Sequence, residues 1–151
     1  MEIKDFLDPG AIVLNMEAET SEEVIRELGG RLLDLGFVTD DFIDATLERE
    51  ANMPTGLPLG GSVNAAIPHV DIEYVKKSAL GLATLKQEVV FYNMVENEVA
   101  VPCRLVIMLA LDQPKSQVEM LQSVAAVLQQ PVVIDALIAA ESVKEIYAAL
   151  S

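Results

Sequence analysis

Apolar and polar positions along the chain fall into blocks whose period changes from helix-like to strand-like and back. Ile12, Val13 and Leu14 form a short strand-like run. Thr20-Ser21-Glu22-Glu23 then supplies a hydroxyl cap with acids in the first turn, and Val24, Ile25, Leu28, Leu32, Leu33 and Leu35 recur at helical spacing as far as Gly36. This pattern predicts a helix closed at both ends. Thr39-Asp40-Asp41 caps a second predicted helix with Phe42, Ile43, Ala45 and Leu47 on its apolar face, and that helix carries Arg49 and Glu50 to its far end. From Asn52 to Gly61, the residues Pro54, Gly56, Pro58, Gly60 and Gly61 argue against a regular element and predict a loop of fixed shape.

Beyond the loop the period shortens. Ala65-Ala66-Ile67 reads as a short strand that Pro68 terminates, which leaves His69 at a strand end. Ser78 to Leu85, Val89 to Tyr92 and Val99 to Leu111 read as further strands, the last two separated by Glu96-Asn97-Glu98. The apolar run Leu105 to Leu111 is far shorter than the roughly 20 residues a membrane-spanning helix needs, so it reads as a buried strand. Asp112-Gln113-Pro114 ends it and opens a helix with Val118, Leu121, Val124, Ala125 and Leu128. Pro131 separates that helix from Val132 to Ala139, and Ser142 with Glu145 fits the capping box of a last helix through Leu150. Helices at both ends around central strands imply an α/β sandwich in one domain spanning residues 1–151, with a strand order that the period does not reveal.

Composition narrows the partners. With 24 acidic and 10 basic residues the formal charge is -14, which opposes a polyanionic phosphate backbone, so no nucleic-acid partner is expected, and favours a basic contact face. The single cysteine, Cys103, forms no internal disulfide, and Val101, Leu105 and Val106 around it predict a buried, inert thiol in a reducing compartment. Acids in Met1 to Asp5 do not fit a secretory leader, and a cytoplasmic location is expected.

His69 is the only histidine, so any imidazole chemistry in the chain uses it. One histidine and one cysteine do not assemble a usual zinc set, no EF-hand spacing occurs, and neither a metal nor a cofactor is expected. Gly60-Gly61-Ser62-Val63 lacks the hydrolase elbow, and no phosphate-binding or dinucleotide glycine motif is present. What remains is nucleophilic attack by a neutral imidazole on phosphorus, giving a labile phosphoramidate. That chemistry needs an oriented ring, a cation and donors to the phosphoryl oxygens, for which Arg49, Thr55 and Gln117 are available. The competing reading is a structural histidine, packed at a strand end and unreactive.

The string Arg49-Glu50-Ala51-Asn52-Met53-Pro54-Thr55-Gly56, followed by Ala66-Ile67-Pro68-His69, resembles the active-site signature of phosphotransferase-system (PTS) IIA components of the fructose/mannitol type. Within that group the closest resemblance is to the galactitol-specific IIA component, through Glu50 to Gly56 and through Leu128-Gln129-Gln130-Pro131. The resemblance covers nearly the whole chain and implies a mixed β-sheet flanked by helices. It further implies a phosphocarrier in which His69 receives a phosphoryl group from phospho-HPr and passes it to a cysteine of a IIB component. The membrane IIC component, where sugar specificity resides, is then engaged only indirectly, and galactitol or a related polyol is the expected cargo. Cys103 is not the acceptor cysteine, which in the family belongs to a separate domain or chain.

The same resemblance suggests roles residue by residue. Arg49 balances the phosphoryl charge, against an alternative as a surface ion pair. Thr55 donates its hydroxyl to the phosphoryl group or stabilises the Pro54-Thr55-Gly56 turn. Mannitol-type members carry a second active-site histidine at the start of the helix after the last strand. Gln117 stands at the corresponding position, as an uncharged donor or an exposed helix residue, and galactitol-type members likewise lack that histidine. Asp71 acts on the ring's other nitrogen or faces water, and Glu50 has no evident role because an acid repels a phosphoryl group. An alternative function is a regulatory module whose phosphorylation state controls a partner protein without driving transport.

Overall fold

In the computed structural model, which describes residues 1–151, a single helical turn α1 (Ile3–Phe6) runs straight into strand β1 (Leu7–Met16). Helix α2 (Ser21–Asp34) follows, and its ends are closed as its sequence predicts. Thr20 Oγ1 accepts the Glu23 N–H, and the Glu23 carboxylate accepts the Thr20 N–H, both at 3.2 Å. At the other end Gly36 sits at φ 84°, and the N–H groups of Gly36 and Phe37 donate to the carbonyls of Leu33 and Leu32. Val24, Ile25, Leu28 and Leu32 are fully buried, each contributing about 1.5–3 kcal/mol relative to exposure.

Helix α3 (Phe42–Asn52) starts where expected but without the expected side-chain cap, because the Phe42 N–H donates to the Thr39 carbonyl at 3.1 Å instead. The loop predicted from Asn52 to Gly61 contains a short strand, β2 (Gly56–Leu57), paired antiparallel with β3 (Ala65–Ala66). A 3-10 turn at Ile72–Tyr74 leads to β4 (Ala79–Tyr92), which is one strand where the sequence suggested two. Lys86, Gln87 and Glu88 lie exposed in an irregularity between Thr84 and Val89, and pairing with β5 (Ala100–Ala110) resumes beyond it. Arg104 closes this irregularity by donating Nε and Nη2 to the Leu85 carbonyl at 3.0 and 2.9 Å.

Helices α4 (Pro114–Leu128), α5 (Pro131–Ala139) and α6 (Val143–Ala149) complete the chain. Ser142 Oγ accepts the Glu145 N–H at 3.2 Å, whereas the Glu145 carboxylate accepts the N–H of Glu141, one residue before the position a capping box uses. No single helix is long and apolar enough to cross a membrane.

The sheet has five strands in the order β1-β4-β5-β3-β2. β1 runs parallel to β4 and β3 parallel to β5, while β4–β5 and β2–β3 are antiparallel, so the sheet is mixed. Side chains alternate across it. Leu80, Leu82, Leu105, Ile107 and Leu109 face α4, α5 and α6, whereas Ala83, Leu85, Val106 and Met108 face α2 and α3. Both faces are covered, which is why Leu105 to Leu111 is continuously apolar and not alternating.

Candidate functional site

The C-terminal turn of α3 delivers Arg49 and Glu50 to one edge of the sheet, next to the loop that enters β2. Thr55 in that loop is 1% exposed, and a threonine so buried requires partners for its polar groups. Glu50 supplies both, its Oε2 accepting the Thr55 N–H and its Oε1 the Thr55 hydroxyl proton, each at 2.8 Å. Burial pushes the Glu50 carboxyl above its ordinary pKa, while the Thr55 donors and Arg49 work in the opposite direction. The next residue, Gly56, has no space for a Cβ, which would stand 2.6 Å from the Tyr92 carbonyl oxygen. That close approach lets the Met94 N–H donate to the Gly56 carbonyl at 2.9 Å and draws the β4–β5 connection against the site.

His69 is 7% exposed and is fixed from the backbone. The Leu109 N–H donates to the Pro68 carbonyl at 3.0 Å, and His69 forms a parallel bridge with Leu109, so β5 sets the position of the segment after β3. His69 Nδ1 lies 2.8 Å from the Ile67 carbonyl oxygen. A carbonyl only accepts, so Nδ1 carries the proton and Nε2 carries the lone pair. Burial holds the ring pKa below its ordinary 6.5; the Ile67 bond opposes that shift, Arg49 adds to it and Asp71 opposes it. The imidazole is therefore neutral at pH 7 with Nε2 as its available nitrogen.

Arg49, Thr55, Ile67 and His69 line one cavity of about 620 Å³, whose apolar wall includes Met94 and Leu121. The Arg49 Nη1 is 3.8 Å from Asp71 Oδ1, but the Asp71 side chain is 71% exposed, so the pair is loose and wet. Arg49 Nε is buried and has no hydrogen-bond partner. A cation with an unsatisfied buried N–H, lining the same cavity as the unprotonated Nε2, suits an incoming anion with several oxygens.

Three of the four residues singled out in the sequence thus meet at one cavity. Gln117 does not line it: the wall takes Leu121 and Ala125 from α4, and Gln117 is half-buried one turn earlier on the helix. Asp71 does not hold the second ring nitrogen, because Ile67 already does. In this state the Thr55 hydroxyl is engaged by Glu50, leaving its lone pairs, not its proton, for other partners. Cys103 is fully buried on β5, where burial pushes the thiol up to about 12. The contributions of Glu50, the Ile67 carbonyl and Met94 were missed; an acid ahead of a turn threonine was a signal for the first, whereas the other two follow only from tertiary pairing.

Comparison with known proteins gives concordant results. Residues 5–151 match the family described as "Phosphoenolpyruvate-dependent sugar phosphotransferase system, EIIA 2". The galactitol-specific EIIA component of the PTS from Escherichia coli K12 is 36% identical over 117 residues, covering 77% of this chain and 76% of that protein. Mannitol IIA from Escherichia coli, a crystal structure, superposes with a TM-score of 0.79 at 28% identity, over 96% of this chain and 99% of the other. The Escherichia coli mannitol IIA solved in complex with phosphorylated mannitol IIB superposes with a TM-score of 0.77 at 29% identity, covering 95% and 96% of the two chains. The family model covers nearly the whole sequence, and the fold is shared with the solved mannitol IIA: the chain belongs to the EIIA 2 family of the phosphoenolpyruvate-dependent sugar phosphotransferase system, the IIA components of the fructose/mannitol type.

Proposed function

We propose that this protein is a cytoplasmic phosphocarrier in which His69 accepts a phosphoryl group from phospho-HPr and gives it to the cysteine of a IIB component, in the uptake of galactitol or a related polyol. The observation that carries the reading is the His69 ring, with Nδ1–H held by the Ile67 carbonyl and Nε2 left unprotonated in a cavity that Arg49, with its unpartnered Nε, also lines. In the first transfer the Nε2 lone pair attacks phosphorus, and the Nε2–P bond forms as the bond from phosphorus to the donor breaks. Arg49 offsets the phosphoryl charge through Nε.

The Ile67 carbonyl gives the second transfer its direction. Because it only accepts, it keeps the proton on Nδ1 after phosphorylation, so the ring is an N-phosphoimidazolium and leaves as a neutral imidazole. The sulfur of the IIB cysteine then attacks phosphorus, the P–N bond breaks, and Nε2 recovers its lone pair. No proton has to enter or leave His69 in either step. The 28–29% identical mannitol IIA, which is seen with phosphorylated IIB, supports a IIB acceptor. Gln117, one turn before Leu121 on α4 and outside the cavity lining, is proposed as an uncharged donor toward the phosphoryl group or the docked partner. Contact with the membrane IIC component is made only through IIB.

The test is intact mass after incubation with phosphoenolpyruvate, enzyme I and HPr, beside His69→Ala, followed by addition of a galactitol-type IIB. One acid-labile phosphoryl group on the wild type alone, discharged by IIB, is expected. Phosphorylation without discharge by any IIB would instead favour regulation of a partner protein, and no phosphorylation by a competent donor would overturn both readings.

A further inference from the structure

Glu50 is an acid next to a site for an anion, and on charge alone it opposes the reaction. Its hydrogen bonds give it another task. Both oxygens hold Thr55, through its N–H and its hydroxyl, each at 2.8 Å. The Thr55 carbonyl accepts the Ile67 N–H at 3.3 Å, and the Ile67 carbonyl accepts the His69 Nδ1 proton at 2.8 Å. An unbroken series of hydrogen bonds therefore links the end of α3 to the imidazole, through residues that are 1%, 6% and 7% exposed. The geometry also limits the cost of the charge. Thr55 lines the His69 cavity and Glu50 does not; Glu50 opens onto a separate cavity of about 310 Å³ with Phe91 and Tyr92.

We propose that Glu50 is a positioning residue for His69: by fixing Thr55 at both donors, it holds the Ile67 carbonyl where that carbonyl takes the Nδ1 proton, which keeps Nε2 the nitrogen presented to phosphorus. The effect on rate rests on the phosphocarrier reading; the effect on the ring does not. A group that acts only on loop stability lowers the melting temperature and leaves the imidazole tautomer alone. A positioning group changes the tautomer in the folded protein.

The experiment compares wild type with Glu50→Asp, Glu50→Ala and Glu50→Gln by long-range imidazole ¹H–¹⁵N NMR of the unphosphorylated protein, and by the initial rate of phosphorylation from phospho-HPr. Amide spectra verify the fold of each variant. Glu50→Asp keeps the charge but withdraws it from the two Thr55 donors, so it and Glu50→Ala are expected to show mixed His69 tautomers and a rate loss of roughly tenfold or more. Glu50→Gln still accepts the Thr55 N–H through its oxygen and donates its amide to Thr55 Oγ1, so it keeps the single Nδ1–H tautomer and a rate within about threefold of wild type. A single Nδ1–H tautomer with wild-type rate in folded Glu50→Asp or Glu50→Ala would overturn the proposal. So would Glu50→Gln falling as far as Glu50→Ala, which would make the charge and not the bonding decisive. Should Glu50→Ala not fold, the aspartate and glutamine variants decide between these outcomes. Should phospho-HPr fail to phosphorylate the wild type, the phosphocarrier reading falls while the tautomer comparison still tests Glu50.

Discussion

A histidine that must attack phosphorus has to be neutral, and His69 is kept neutral chiefly by burial. Its pKa is held below the ordinary 6.5, so the acid-side midpoint of the phosphorylation pH–rate profile is expected to lie below 6.5. The same shift has a sign for stability. Between the folded pKa and 6.5 the unfolded chain binds the proton that the folded chain refuses, so this group makes stability fall as pH drops below about 6.5. Urea denaturation at pH 7.5 and 5.5 is expected to show a smaller loss for His69→Gln than for wild type. For Arg49, replacement by lysine keeps the charge but removes the Nε donor and the fork, so phosphorylation should slow by about ten- to a hundredfold. The midpoint of unfolding should barely move, because the Asp71 pair is long and exposed. At this scale the sequence was legible where chemistry is local: Arg49 and Thr55 stand in one segment, 49–56, and His69 in a second, 66–69, and the three share one cavity. Glu50 was not, since its charge suggested repulsion, and only the fold turns that charge toward Thr55 and away from the cavity.

Elements place these residues through close contacts that admit little change. Gly56→Ala would set a Cβ 2.6 Å from the Tyr92 oxygen and 2.9 Å from the Phe91 oxygen, both backbone atoms. We expect about 1–3 kcal/mol of destabilisation in chemical denaturation, and slower phosphorylation in the variant that remains folded, because Gly56 directly follows Thr55, which lines the site. Thr20→Ala offers the contrast. It removes the cap of α2, which does not line the His69 cavity, should cost about 1 kcal/mol in the same experiment, and should leave the phosphorylation rate of the folded protein unchanged. Both helices before the loop were readable from caps and period. The short strand β2 was hidden because proline and glycine forbid regularity only locally, and its pairing with β3 is supplied from across the sheet. β4 looked like two strands because Lys86, Gln87 and Glu88 are polar and exposed, while Arg104 joins the halves from the neighbouring strand. Strand order, with β3 parallel to β5 and His69 bridged to Leu109, is a property of non-local pairing that no period contains.

The whole molecule carries a formal charge of -14, although its reactive cavity holds an arginine. On the proposed phosphocarrier reading, the net charge draws a basic partner and Arg49 draws the phosphoryl group, so encounter and chemistry would depend on different charges. Raising salt from about 0.05 M to about 0.5 M should slow second-order phosphorylation by phospho-HPr several-fold, and leave the hydrolysis lifetime of the phosphorylated protein nearly constant. Stopped-flow quenching at both salt concentrations measures the two together. On the proposed reading, β5, β3 and α3 together present one nitrogen, His69 Nε2, to phosphorus. Long-range ¹H–¹⁵N NMR with ³¹P coupling on the freshly phosphorylated protein tests it most directly. Phosphorus bonded to Nε2, with Nδ1 still protonated, is the expected result; phosphorus on Nδ1, or on any residue other than His69, would contradict it.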